Sequence, residues 1–238
     1  MLIKSDKITK KDYDLWSEYE EIDSKHKIQQ WKISECKNAI DTFIRNTKSV
    51  YKENVYCMSS WGKDSVVVSH FCALAGITII HIKTKRTHPL CDTVQDEFCK
   101  KVKCEIIVIN ESKYGNNWKH WGDGIKIASK KYPGKTITGL RGDESGIRSL
   151  SKRIYGTSCN NFCRPIISWT ADDVFSYLHQ HDLPIHPNYA MVGGGRWERG
   201  RIRVSSLLGE RGNGIGRKEW EEEYYSDEIR RIIKNGKI

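Results

Sequence analysis

The stretch "SSWGKDSVVVSH" (59–70) joins a short apolar run, "NVYCM" (54–58), to an apolar helical pattern. Gly62 in this turn lets the backbone approach a ligand closely, and a helix opening at about Asp64 leaves its first amides unpaired there. Such a turn is an anion site, because the free amides and the helix dipole both favour negative charge. Lys63 adds a point charge and Ser60 and Ser65 add hydroxyls. A Walker A loop is ruled out: its spacing asks for glycine at position 57, where the chain has Cys57.

Outward from the turn, strand and helix patterns alternate. "NVYCMSS" reads as a strand, "DSVVVSHFCALAG" as a helix and "ITIIHIK" as a strand. "DTVQDEFCKKV" (helix), "CEIIVIN" (strand), "DGIKIASKKY" (helix) and "KTITGL" (strand) continue the rhythm. This alternation predicts an α/β fold, an open and mostly parallel sheet with helices on both faces. The β-branched runs are short and continuous, as strands buried on both sides require. "WTADDVFSYLHQHDL" (169–183) is a further amphipathic helix, with Thr170 at its cap and Asp173 three residues on; the prolines of "PIHPNY" stop it.

Two extensions flank this core. In residues 9–48, Tyr13, Trp16, Tyr19 and Ile22, then Ile28, Trp31, Ile33, Ile40, Phe43 and Ile44, predict one or two helices packed on the main domain. They serve as a structural extension, or alternatively as a homodimer or partner-docking surface. "GGGRWERGRIRVSSLLGERGNGIGRKEW" (193–220) alternates glycine with arginine, and a loop of that length is either functional or disordered. A terminal helix follows from Glu219. The expected division is 1–50, N-terminal helical extension; 51–190, nucleotide-binding domain; 191–238, Arg/Gly-rich segment and terminal helix.

Composition bounds the function. Of 238 residues, 40 are Lys or Arg and 30 Asp or Glu, a net charge of +10 that favours polyanionic partners. No apolar run is long enough to cross a membrane and the N-terminus lacks a signal-peptide core, so a cytoplasmic protein with no membrane contact is expected. Eight cysteines in such a setting do not form a disulfide framework. Cys57 and Cys72 read as small buried side chains. Cys159 and Cys163 are loop cysteines without a ligand; zinc or an iron–sulfur cluster would need two more ligands, for which nothing in the spacing recruits His179, His181 or His186. A persulfide sulfur carrier is the other reading of this pair.

At this point a family resemblance enters. "SSWGKDS" resembles the SGGKDS signature of the PP-loop ATP pyrophosphatases, with Trp61 in place of the first glycine. "TGLRGDESGIRS" (138–149) resembles the arginine motif of the phosphoadenylylsulfate (PAPS) reductase and ATP sulfurylase small-subunit branch. "RPIISWTADDVFSYLHQHDLPIHPNY" (164–189) resembles that branch's RP…W…DV…YL…LP…P.Y segment. All three stand in family order. The resemblance implies an adenine nucleotide alpha-hydrolase-like (PP-loop) fold and cleavage of ATP, with Mg²⁺, between the α- and β-phosphates. It implies that Ser59, Ser60, Trp61, Gly62, Lys63, Asp64 and Ser65 hold ATP and its pyrophosphate, and that Arg141 and Arg148 bind phosphate or an activated oxyanion. Catalysis would rest on Lys63, Asp64 and Arg141, with Asp64 alternatively organising the loop or helping to hold the metal. The residues agree: Arg141 follows a predicted strand at the sheet edge where ligands bind, and Arg148 is expected on the same helix as Glu144.

The chain also departs from the branch. "IKTKRTHP" (82–89) puts Lys83 and Thr84 where Asp and Thr are usual, so Lys83, Lys85, Arg86 and His88 are expected to meet a polyanion at the rim. The reductases carry a catalytic cysteine near their C-terminus; no cysteine follows Cys163 here, so reduction by that chemistry is not expected. Arg196, Arg199, Arg201, Arg203 and Arg211 stand where relatives in DNA sulfur modification place cysteines. With Arg164 and Trp197 they are expected to contact nucleic acid, or else to close over ATP or dock an acidic partner. The overall likeness is to the DndC- and SspD-type ATPases of DNA phosphorothioation, which implies DNA (or another nucleic acid), a cysteine desulfurase and other modification-system proteins as partners. The rivals are small-molecule sulfur metabolism, ATP sulfurylase-like or PAPS reductase-like, and a non-catalytic nucleotide-sensing, nucleic-acid-binding module.

Overall fold

β1 (Asn54–Ser59) turns Val55, Cys57 and Ser59 into the main core and leaves Tyr56 and Met58 to the opposite face. The computed structural model describes residues 1–114, 118, 121–204, 206–208 and 217–236. Before β1 lie α1 (Lys10–Lys25) and α2 (Gln30–Asn46); after it come α3 (Lys63–Leu74), β2 (Ile79–Lys83), α4 (Cys91–Lys101) and β3 (Ile106–Asn110). Then follow α5 (Trp121–Lys131), β4 (Gly134–Thr138), α6 (Gly146–Tyr155), β5 (Phe162–Cys163), α7 (Ala171–Gln180) and α8 (Arg217–Gly236). The five strands are parallel, in the order β3-β2-β1-β4-β5. This is the open α/β sheet that the alternating pattern predicts.

Two cores sandwich the sheet, because successive side chains of a strand point to opposite faces. On one face α3, α4 and α7 pack through Val66, Val67, Phe71, Val94, Phe98, Phe175 and Leu178. On the other, α5 covers Ile80, Ile82 and Ile109 with Ala128, Ile125 and Ile127. The flanking helices join the first core: Trp16 of α1 meets Phe175 of α7 edge-on at 6.2 Å, and Trp220, Tyr224 and Tyr225 of α8 are buried in the same cluster. A Thr170–Asp173 capping box starts α7, as its sequence indicates. Tyr225 interrupts α8 with a non-helical φ of −135°.

Three details differ from the sequence reading. β5, only two residues long, has no signal in the pattern. Helix α8 begins at Arg217 rather than Glu219. Glu144 and Arg148 do not share a helix: Glu144 closes a 3₁₀ turn (Gly142–Glu144), and extended Ser145 (φ −166°) caps α6 through its hydroxyl.

The core also holds imidazoles in the neutral form. Burial lowers the pKa of His88, and it brings that of His186 to about 3. Asn188 fixes both tautomers: its side-chain amide donates to His88 Nε2 (2.7 Å) and its backbone amide to His186 Nδ1 (3.3 Å). A histidine freed by unfolding titrates near 6.5, so between that pH and the folded value the unfolded chain binds more protons. Stability is therefore whole above about pH 6.5 and falls as the pH drops, by up to about 1.4 kcal/mol per pH unit for each such group. Urea titrations between neutral pH and pH 5 check this; a flat profile for wild type, or the same slope in His186→Asn, overturns it.

Candidate active site

The chain order reverses between β1 and β4, and in open parallel sheets ligands bind at the carboxyl ends of the strands flanking such a switch point. Two turns meet there, the 59–65 loop after β1 and the 139–144 turn after β4. They touch closely: a Cβ on Gly139 would lie 2.6 Å from the Asp64 carbonyl oxygen, so only glycine lets the β4 end reach the first turn of α3. Gly62 is the cap of α3 and contributes no side-chain hydrogen bond. A Cβ there would meet the Tyr189 hydroxyl and Val204, each at 3.1 Å.

The charged groups form a chain of pairs that runs from buried Lys63 and Arg141 out to exposed Asp143. Lys63 Nζ donates to Asp64 Oδ2 (2.7 Å), and Arg141 Nε donates to Asp64 Oδ1 (2.5 Å). Arg141 also donates through one terminal nitrogen to both oxygens of Asp143, at 2.6 Å each. Arg148 pairs with Glu144, whose carboxylate also accepts the Arg141 amide at 3.2 Å. Lys63 and Arg141 are almost wholly buried, 3% and 2% exposed. Burial pulls the Lys63 ammonium below its ordinary pKa, against the pull of Asp64. Burial pushes the Asp64 carboxyl up, but Lys63 and Arg141 outweigh it and hold the group below the usual range. Burial opposes the charge on Arg141 as well, and Asp64 and Asp143 overcome it, so its pKa rises. Asp64 thus holds both cations, one to each of its oxygens, and its charge favours their ionised forms.

The loop itself is braced. Ser65 Oγ donates to the Gly62 carbonyl (2.9 Å) and lies 3.2 Å from Ser60 Oγ. Ser59 Oγ accepts the Trp61 amide at 3.3 Å. Trp61 has a φ of +60°, the left-handed region that favours glycine, yet its side chain is fully buried. Its indole donates to Gln95 Oε1 (3.0 Å) and packs against Phe98 (5.4 Å) and His81 (6.1 Å). Trp61 therefore forms the floor of the loop, with no face toward a ligand.

Sequence reasoning missed Tyr189, although the P.Y segment contains it. Its hydroxyl accepts the Lys63 amide (3.1 Å), and its ring lies 5.3 Å from the Lys63 ammonium. It missed Asp143 as well, and Cys91, whose thiol donates to the Val204 carbonyl (3.4 Å) beneath the loop.

The structure divides the remaining residues named from sequence. Arg203 lies near enough to Arg148 to repel it and lower its pKa, second to burial as the cause. Arg164 is buried and donates to Ser151 Oγ (2.8 Å) and the Gly156 carbonyl (2.9 Å), holding the C-terminal end of α6 rather than facing the loop. Arg199 is buried against Asp23 (2.7 and 2.6 Å) and stacked on Tyr19 and Phe175. Both are internal cations, out of reach of a nucleic acid. Arg196 pairs with Glu223, Arg201 with Glu198, Lys83 with Asp92 and Lys85 with Glu111. The Arg86 carbonyl accepts the Leu207 amide (2.8 Å). His88 is a core residue, not a rim cation. Arg211 lies outside the described residues.

Cys163 is buried, and burial pushes its thiol up to about 12, which removes it as a thiolate sulfur carrier. Cys159 is half-buried on the turn before it. Among the described residues no cluster of three or more His, Cys, Asp or Glu side chains could hold a metal, and no helix is long and apolar enough to cross a membrane. A nucleotide triphosphate fits the donor set. Lys63, Arg141 and Arg148 bring positive charge together beside the first turn of α3. Mg²⁺ would come with the phosphates of the nucleotide.

The phosphoadenosine phosphosulfate reductase domain model matches residues 54–192. Similar curated proteins include the phosphoadenosine 5'-phosphosulfate reductase of Xylella fastidiosa (strain M23), 24% identical over 172 residues, 63% of this chain and 69% of that one. That of Xanthomonas axonopodis pv. citri (strain 306) is 25% identical over 196 residues, 73% and 78% of the two chains. Among solved structures, a U34-tRNA thiolase from Methanococcus maripaludis with its [4Fe-4S] cluster gives a TM-score of 0.49 at 16% identity, over 87% of this chain and 75% of that one. PAPS reductase from Candida auris, in a phosphate complex, gives 0.43 at 13%, over 67% and 90%.

Proposed function

Because the chain belongs to the phosphoadenosine phosphosulfate reductase domain family, we propose that it is an ATP pyrophosphatase that activates an acceptor by adenylation for sulfur incorporation. The observation that carries this reading is the buried Lys63–Asp64–Arg141 chain at the switch point. An acceptor oxygen attacks the α-phosphorus, the bond from that phosphorus to the bridging oxygen breaks, and pyrophosphate leaves with the electron pair. Lys63 and Arg141 stabilise the negative charge that develops on the leaving group, and they do so strongly because they are already desolvated and fixed. Asp64 orients both cations, and Tyr189 pins the first amide of α3. Mg²⁺ supplies further charge neutralisation when it accompanies ATP.

The acceptor we favour is a DNA backbone phosphate, as in DNA phosphorothioation, with sulfur supplied by a cysteine desulfurase partner. The net charge of +10 supports a polyanionic acceptor. The kinship with PAPS reductases supports a second reading, sulfonucleotide chemistry on a small molecule.

Incubation with ATP and Mg²⁺ separates the possibilities. AMP plus pyrophosphate is expected, stimulated by DNA and not by sulfate. Stimulation by sulfate alone moves the protein to small-molecule metabolism, and sulfite release from a sulfonucleotide with a thiol donor identifies a reductase. ADP as product contradicts adenylation. Binding of ATP without any product leaves the nucleotide-sensing module.

A further inference from the structure

An amphipathic helix of a globular protein turns its apolar stripe to the core. Helix α6 does the reverse. Ile147, Leu150 and Ile154 recur at intervals of three and four residues, which sets them on one face. They are 83%, 57% and 62% exposed, and no residue of α6 is buried. The polar side chains turn inward instead. Ser151 Oγ accepts from the buried Arg164 guanidinium (2.8 Å), and Arg148 pairs with Glu144. Lys152 lies against Gly142, its Cδ 3.2 Å from where a Cβ on that glycine would stand. Exposed Tyr155 extends the apolar surface to Phe162, which it meets edge-on at 6.4 Å. Single apolar side chains on a surface are ordinary, but a contiguous set of them marks an interaction site.

Two features say what covers this face. The stripe reads nearly the same from either end, with Leu150 between two isoleucines. A two-fold contact needs such self-complementarity, since residue i must meet j while j meets i. With the axis at Leu150, that residue meets its own counterpart and Ile147 meets Ile154 of the other copy. Charge fits the same antiparallel pairing. The last turn of α6 carries Lys152 and exposed Arg153, and the turn that precedes the helix carries exposed Asp143 and half-buried Glu144. Antiparallel helices set the basic end of each beside the acidic turn of the other, with their dipoles opposed.

We propose that α6 is a self-association face, on which a second copy of this chain packs its own α6 in antiparallel fashion. The proposal goes beyond the nucleotide chemistry and does not depend on it. Because α6 also carries Arg148, the pairing sets two candidate active sites on either side of one interface. One ten-residue helix from each copy makes an interface at the small end of the specific range, so the association is modest.

Sedimentation equilibrium of the full chain tests this for wild type, Leu150→Glu and Arg153→Glu. Wild type is expected to dimerise with a Kd on the order of 10–100 µM. Leu150→Glu sets two carboxylates face to face on the axis and is expected to weaken the dimer at least about thirtyfold. Arg153→Glu is expected to weaken it about threefold to tenfold, because each dimer loses two ion pairs. Both side chains are exposed, and unchanged thermal unfolding verifies that the variants fold. Cross-linking reads the orientation. Leu150→Cys is expected to form a disulfide between copies under mild oxidation, above the baseline of the eight native cysteines. Ile147→Cys mixed with Ile154→Cys is expected to cross-link more than either variant alone. A wild type that stays monomeric up to about tenfold above that Kd overturns the proposal, as does a Leu150→Glu chain that dimerises like wild type. A mixed cysteine pair that cross-links no better than the single variants overturns the antiparallel geometry. Monomeric wild type that binds phosphatidylserine vesicles, with binding lost in Leu150→Glu, assigns the face to a membrane surface instead. None of these readouts involves ATP, so failure of the adenylating reading leaves them standing.

Discussion

If the chain cleaves ATP as proposed, Arg141→Ala is expected to lower pyrophosphate release by about a thousandfold, the scale at which fixed cations on a transferring phosphoryl group act. The guanidinium is 2% exposed and joins Asp64 to Asp143, so its loss removes the contact proposed for the leaving group and leaves Lys63 alone to balance the Asp64 carboxylate. Arg141→Lys keeps the charge but cannot span both carboxylates, and it should recover only a small part of the rate. Because the alanine variant also weakens the fold locally, the lysine variant carries the test if alanine fails to accumulate. Steady-state pyrophosphate release measures both; a lysine variant within threefold of wild type would show that Arg141 only organises the turn.

Arg199→Ala costs about 3–5 kcal/mol of stability, the penalty for leaving one member of a buried ion pair uncompensated. Its guanidinium makes two bonds to Asp23, which is 2% exposed, and lies 4.1 Å from the Phe175 ring centre. The pair ties α1 to the chain after α7, so its loss detaches the N-terminal helix first. A chain of this length should melt roughly 10 °C lower. Replacing both partners, Arg199→Leu with Asp23→Leu, should restore most of the loss, since no charge is then stranded. If Arg199→Ala melts with wild type, the pair is not the fastening described.

The contrast between buried Arg199 and exposed Arg203 shows where the sequence is legible. The sheet was readable because each strand is a short β-branched run set off by a helix with its own period, and local chemistry decides both. The loop was readable because Gly62, Lys63 and Ser65 sit next to one another. Which arginines face a ligand was not readable, because that depends on where acids fall in space. Asp23 lies 176 residues from Arg199, and no local pattern announces the pairing. Arg164 was hidden in the same way by its bonds to Ser151 and Gly156. Glu144 and Arg148 have the spacing of a helical pair and do meet, but across an extended Ser145 that the spacing conceals. β5 has two residues and is a strand only because β4 is beside it.

Trp61 carries a consequence for anyone who recombines such proteins. Its left-handed backbone is held by indole contacts to Gln95 and Phe98, both on α4, a different segment of the chain. A glycine at 61 would keep the turn but open a void beneath it; a tryptophan grafted into a relative with glycine there would find no socket. The residue and its socket are therefore one packing unit split between two segments. Chimeras that exchange the signature loop without α4 should fail in either direction, and in a related sequence the side chains at the Gln95 and Phe98 positions foretell whether the loop opens with glycine or with an aromatic ring.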